Sequence, residues 1–159
     1  MKLYIMAAIM LFVAHVANAQ EDVITKERYP QAHCLALNIY YEARSSNLAD
    51  KAAVADVVLN RVEDTRYPNT ICDVVHDGYK VGRRDCQFSW YCDGKSDTPR
   101  DQDRWFEAQM IAWGLIQYEK FRGISEGATH YHATYVNPFW AKDLQMVGRI
   151  GAHIFYRWE

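Results

Sequence analysis

Positive charge is in short supply. In 159 residues, 18 Lys and Arg stand against 20 Asp and Glu, a formal net charge of −2. Nucleic-acid backbones are held by clustered cations, so a nucleic-acid partner is not expected. There is no internal repeat, low-complexity tract or linker, which leaves no boundary for a second domain, and a chain of this length can bury a core without metal. The longest apolar run, Leu3 to Ala17, covers about 15 residues against the ~20 that cross a bilayer, and it contains His15. With Met1-Lys2 before it and Ala17-Asn18-Ala19 before Gln20, residues 1–19 read as a cleavable signal. Residues 20–159 are then one exported domain of the periplasm, cell wall or extracellular space, with no stable membrane span. Cleavage removes Lys2 as the only charge, leaving 17 basic and 20 acidic residues, or −3.

Cysteine is scarce as well. Cys34, Cys72, Cys86 and Cys92 contain no Cys-x-x-Cys pair, which argues against structural zinc. An even number in an exported chain points to two disulfides, with three pairings open. The short separation of Cys86 from Cys92 suggests a local clip, leaving Cys34 to Cys72.

Aromatic rings are what the sequence has in excess. Five Trp, eleven Tyr and six Phe make up 14% of the chain, more than a small core needs. Rings left at a surface suit stacking on sugars or bases.

Helical spacing predicts a first helix from about Gln31 to Ser45, behind Pro30. A second is capped by Asn47 and runs on through Val54, Val57, Val58 and Arg61. Residues 63–95, with Pro68, Gly78, Gly82 and Gly94, read as stapled loop. Thr98-Pro99-Arg100-Asp101 predicts the start of a long helix ending near Phe121, before Gly123. Residues 128–133 and 151–156 read as short strands, with Asn137-Pro138 turning the chain between them. Helices first and a small antiparallel sheet last is the α+β class, mainly helical.

One charge sits where none is expected. Leu35, Ile39 and Glu42 form a single stripe of the first helix, and no basic residue lies three or four positions from Glu42. A carboxyl held against apolar groups without a cation has its ionised form disfavoured, so it keeps a proton toward neutral pH, as a general acid must.

Asn38-Ile39-Tyr40-Tyr41-Glu42-Ala43-Arg44, Val57-Val58-Leu59-Asn60-Arg61-Val62 and Cys86-Gln87-Phe88-Ser89-Trp90 open a series of blocks. Gly127-Ala128-Thr129-His130-Tyr131-His132-Ala133, Val136-Asn137-Pro138-Phe139-Trp140 and Ile150-Gly151-Ala152-His153-Ile154-Phe155-Tyr156 complete it. In this order they resemble the cell-wall hydrolase family typified by the spore cortex-lytic enzyme SleB. The resemblance implies a lysozyme-like, lytic-transglycosylase-like fold that cleaves peptidoglycan glycan strands, with Glu42 as the catalytic acid and no cofactor. The cysteines depart from the family pattern, and no separate peptidoglycan-binding repeat is present.

Glycosidases ordinarily use two carboxylates. No spacing places Asp50, Asp56, Asp73, Asp77 or Asp85 opposite Glu42. A single acid suffices when the 6-hydroxyl of N-acetylmuramic acid displaces the glycosidic oxygen and leaves a 1,6-anhydro end, since the nucleophile is tethered. Candidate sugar contacts are Tyr41, Gln87, Ser89, Trp90, Tyr131, His132, Asn137 and Trp140. Two alternatives remain. His130 and His132, on one strand face, could hold zinc as in an amidase, with His153 as a further candidate, and the domain could bind glycan without cutting it. A protein of charge −3 meeting an acidic polymer also leads one to expect an anchoring partner, unidentified.

Overall fold

The computed structural model describes residues 24–80 and 85–159. The segment 1–19 read as a signal lies outside them. Helix α1 spans Pro30–Ala43 with proline in its first turn, and α2 spans Leu48–Glu63. Asn47 caps α2 as its spacing predicts, its Oδ1 accepting the Asp50 N–H at 3.0 Å. Helix α1 stops at Ala43 and not Ser45: Arg44 is its cap and the Ser46 N–H turns back to the Ala43 carbonyl at 2.9 Å. Glu42 therefore lies in the last turn, where the helix opens to solvent.

Helix α3, Ile71–Val75, falls in the stretch read as loop. Its signal is present, because the Thr70 hydroxyl accepts the Asp73 N–H at 3.1 Å in a Thr-x-x-Asp cap. A 3-10 turn, Ser89–Cys92, follows in the same region. Helix α4, Gln102–Tyr118, starts later than Thr98-Pro99 predicts, with Asp101 as its cap. The reason is tertiary: the Tyr40 hydroxyl accepts the N–H groups of Arg100 and Asp101 at 3.1 and 3.0 Å, which holds that segment extended across α1. The helix ends before Phe121 because Glu119 turns left-handed, at φ 52°.

Leu35, Ala36 and Ile39 of α1, Ala55 and Val58 of α2, and Ala108, Ile111, Ala112 and Leu115 of α4 form the main core. The buried Leu, Ile and Val side chains among them contribute on the order of 2 kcal/mol each. Disulfides Cys34–Cys72 and Cys86–Cys92 join Cα atoms 5.3 and 6.1 Å apart, the pairing the spacing suggests. The first ties α1 to α3, and the second closes the loop that carries Trp90.

Strands β1 (His130–Ala133), β2 (Gln145–Ile150) and β3 (His153–Arg157) form an antiparallel sheet in the order β1-β3-β2. Strand β2, like α3, is an element the sequence reading did not place. A register shift between Met146 and Gly148 breaks its alternation, and Asn137-Pro138 leads into a 3-10 turn, Phe139–Asp143, rather than straight into β3. Phe155, fully buried, packs on Ala53, Val54 and Val57 of α2, with Tyr131 beside it. His130, His132 and Tyr156 occupy the other face, around Trp140.

Two buried aspartates fasten the C-terminal part to α2. Asp50 accepts from His153 Nδ1 at 2.8 Å and from the Ala152 N–H at 2.9 Å. Gly151, at φ +57°, lets the β2–β3 turn close on it, since a Cβ there would stand 2.7 Å from Asp50 Oδ2. Asp56 accepts from Arg122, from the N–H groups of Gly123 and Ser125 at 3.1 Å, and from Ser125 Oγ at 2.6 Å. Among the described residues no helix is long and apolar enough to cross a membrane.

Candidate active site

The buried stripe of Leu35 and Ile39 leads to Glu42, which is half-buried in the last turn of α1. Its Oε2 accepts the Tyr131 hydroxyl at 3.1 Å from β1, and it has no ion-pair partner among the described residues. Burial pushes the Glu42 carboxyl above its ordinary range, opposed by the Tyr131 hydrogen bond and by the charges of His153 and Arg61. The pattern argument for a proton-holding carboxyl is thus matched by its surroundings. The Tyr131 hydroxyl is in turn raised well above its ordinary value, by burial first and by Glu42 second. It stays a neutral donor.

One helical turn before Glu42, Asn38 is fully buried. Its Oδ1 accepts the Trp90 indole N–H at 3.2 Å, and its Nδ2 has no partner among the described residues. Trp90 is itself in the core at 7% exposure, with Tyr41 stacked on its ring at 4.8 Å. A sugar would therefore meet Tyr41 rather than the indole. Phe88 and Trp90 point inward, while Gln87 and Ser89 alternate outward and are exposed.

The other candidates divide by strand face. Successive residues of β1 point opposite ways. Tyr131 faces Glu42, whereas His132 packs with Trp140 and Tyr156 on the far side. The structure does not bring His132 or Trp140 to Glu42, and Asn137 lies exposed in the loop beyond β1. His132 is also fully occupied, donating from Nδ1 to the Ala133 carbonyl at 2.9 Å and accepting the Tyr156 hydroxyl at Nε2, 3.0 Å. His130 contacts Thr129 Oγ1 at 3.0 Å and is pushed down to about 4 by burial and by Arg61 and Arg66, so it is uncharged at neutral pH. His130 and His132 share a face as their spacing predicts, but His153 is on the other. Among the described residues no group of three or more His, Cys, Asp or Glu could hold a metal ion.

The α2 aspartates considered as second carboxylates are both engaged, Asp50 by His153 and the Ala152 N–H and Asp56 by the 122–125 segment. Asp73 accepts the Thr70 hydroxyl at 2.6 Å, and Asp77 accepts the Gly78 N–H at 2.8 Å.

Two residues near Glu42 make contacts that spacing did not assign to them: His153, weighed only as a zinc candidate, and Arg61, read only as part of the second helix. His153 is held by Asp50 with its ring edge on Tyr131, centroids 5.2 Å apart. Arg61, 3% exposed, donates from Nε to the Thr129 carbonyl at 2.7 Å and lies over the rings of Tyr67 and Phe88, with Nη1 unpartnered among the described residues. Its signal was the same as that of Glu42, a charge three and four positions beyond Val58 and Val57 on an aliphatic stripe.

The sequence pattern of the cell wall hydrolase family matches residues 45–156. Glu42 stands just before that segment; Arg61, Tyr131 and His153 stand within it. The fold is similar to the catalytic domain of the Bacillus cereus SleB protein at 24% identity and a TM-score of 0.59, covering 80% of this chain and 89% of that one. It is similar too to the catalytic domain of the germination-specific lytic transglycosylase SleB from Bacillus anthracis, at 22% identity and a TM-score of 0.59, covering 86% and 98%. The expected lysozyme-like α+β arrangement is the observed one. No curated protein matches the chain.

Proposed function

The chain belongs to the cell wall hydrolase family, and from that membership we propose that it is a peptidoglycan lytic transglycosylase in which Glu42 is both acid and base. The observation that carries this reading is the half-buried Glu42 carboxyl, without an ion-pair partner among the described residues and held by the Tyr131 hydroxyl. Protonated Glu42 gives its proton to the oxygen between N-acetylmuramic acid and N-acetylglucosamine, and the bond from C1 to that oxygen breaks. The 6-hydroxyl oxygen of the same muramic acid bonds to C1 and its proton passes to the Glu42 carboxylate, restoring the acid. No water is consumed and no second carboxylate is required. The occupied aspartates of α2 support this route. Two disulfides suit an oxidising compartment, which supports action outside the cytoplasm, in the periplasm or wall.

Mass analysis of soluble products from purified peptidoglycan tests the reading. Fragments ending in 1,6-anhydro-N-acetylmuramic acid are expected. Reducing ends would mean that water attacks, free stem peptides would revive the amidase alternative, and binding without release would indicate a glycan-binding module.

The pH profile supplies a second test. The first step needs protonated Glu42, so the rate falls as pH rises through its raised pKa. Tyr131→Phe removes a donor that favours the carboxylate, so the alkaline limb moves to higher pH. A limb that stays put or moves down would contradict the role given to Tyr131.

A further inference from the structure

On the flank of the last α1 turn away from Glu42, a cavity of about 410 Å³ is lined by Tyr40, Tyr41, Arg44, Lys95, Ser96 and Arg100, among others. No acidic residue lines it. Lys95 is answered by Asp93, 3.2 Å from its Nζ. The two arginines have no carboxylate partner among the described residues. Arg44 is held in place all the same, its Nη1 donating to the Tyr40 hydroxyl at 3.2 Å and its guanidinium lying 5.2 Å from the centre of the Tyr40 ring. The same hydroxyl accepts the backbone N–H of Arg100, so one phenol fixes both arginine-bearing segments. Two acids stand close by without forming an ion pair with either arginine: Asp101 caps α4 through the Arg104 N–H while its charge also reaches Arg44, and the charge of Asp97 acts on Tyr41.

Resting on the reading of Glu42 as the point of cleavage, we infer that this cavity is a carboxylate subsite that binds an anionic group of the same glycan strand. Neutral sugars need no pre-positioned guanidinium, and two unpaired ones suit a carboxylate, which arginine grips with paired, charge-assisted bonds. The strand offers two sources. One is the lactyl carboxylate of muramic acid; where a stem peptide caps that group, the other is the carboxylates of the stem. Tyr41 and Arg44 lie within one helical turn of Glu42, and a helix with its side chains is roughly 10–12 Å across, a span that a stem peptide, or the lactyl group of a muramic acid further along the same strand, can bridge. The pair also supplies local attraction that a chain of net charge −2 lacks overall.

Three strand preparations test the subsite: strands with intact stems, strands whose stem carboxyls are converted to carboxamides, and strands stripped of stems so that lactyl carboxylates are free. Both cleavage and equilibrium binding are measured, with the wild-type protein and with the Arg44→Gln/Arg100→Gln double variant. Both arginines are exposed, so the variant folds. Carboxamide conversion is expected to raise KM and Kd about tenfold with kcat little changed, and the double variant is expected to lose that difference. A preference for stripped strands that the double variant abolishes would support the subsite with the lactyl group as its occupant. Affinities equal across the three preparations, or a preference that survives in the double variant, would overturn it. If the wild-type protein cleaves no strand, the transglycosylase reading fails, and the binding comparison still decides the subsite in the same terms.

Discussion

Glu42→Gln lowers the release of soluble glycan fragments by about 10³-fold, with the fold intact. Glutamine keeps the shape and an oxygen that accepts the Tyr131 hydroxyl, so the link between α1 and β1 survives. What it loses is the proton to give and the charge to take one back, and both halves of the proposed cycle fail together. Stability should move the other way. Because burial raises the Glu42 carboxyl above its ordinary value of 4.5, the folded state holds that proton more tightly than the unfolded chain does. The stabilisation is complete below 4.5 and is lost as pH rises through the raised value. The glutamine variant, which has no proton to lose there, gains on the wild type across that window. Thermal melts at several pH values, run beside the product assay, read both effects. A folded glutamine variant with retained activity would remove Glu42 from the mechanism.

Removing the long-range disulfide gives the largest loss of stability. Cys34→Ala with Cys72→Ala opens a link across 38 residues, for which the chain-entropy account gives about 4 kcal/mol at 25 °C. For a domain of this size that lowers the melting temperature by on the order of 10 °C. Cys34 is a buried residue of α1 in the main core, so the alanine leaves a packing defect that adds to the effect. Cys86→Ala with Cys92→Ala opens a separation of only 6 residues, and by the same relation costs about 2 kcal/mol. Calorimetric melts of the two pairs should keep that order. A larger loss from the shorter clip would show that the loop carrying Trp90, rather than chain entropy, sets the cost.

What was legible in the sequence was whatever a single element decides. Proline in the first turn of α1, the Asn47 cap of α2 and the stripe that ends in Glu42 are all local, and all stand in the structure. The start of α4 was misplaced because a hydroxyl on another helix, that of Tyr40, takes the N–H groups a proline-led first turn would have used. Strand β2 escaped because its register shift breaks the period of two. The meeting of Glu42 with Tyr131, 89 positions apart, is a property of the packed sheet that no spacing reveals. The division of β1 was legible. If Tyr131 faces the helices, alternation sends His132 the other way, and grouping them in one sugar site overlooked that.

The close fit at Gly151 makes it a lever. A methyl group there would drive against Asp50, whose Oδ2 lies 2.7 Å from where the new carbon would stand. Asp50 grips His153, the His153 ring rests against Tyr131, and Tyr131 holds Glu42. Gly151→Ala should therefore reach the carboxyl through three intermediaries without touching Glu42 itself. Its signature would be a displaced pH optimum accompanying a lowered melting temperature, the mark of a strut that bears weight and sets alignment at once.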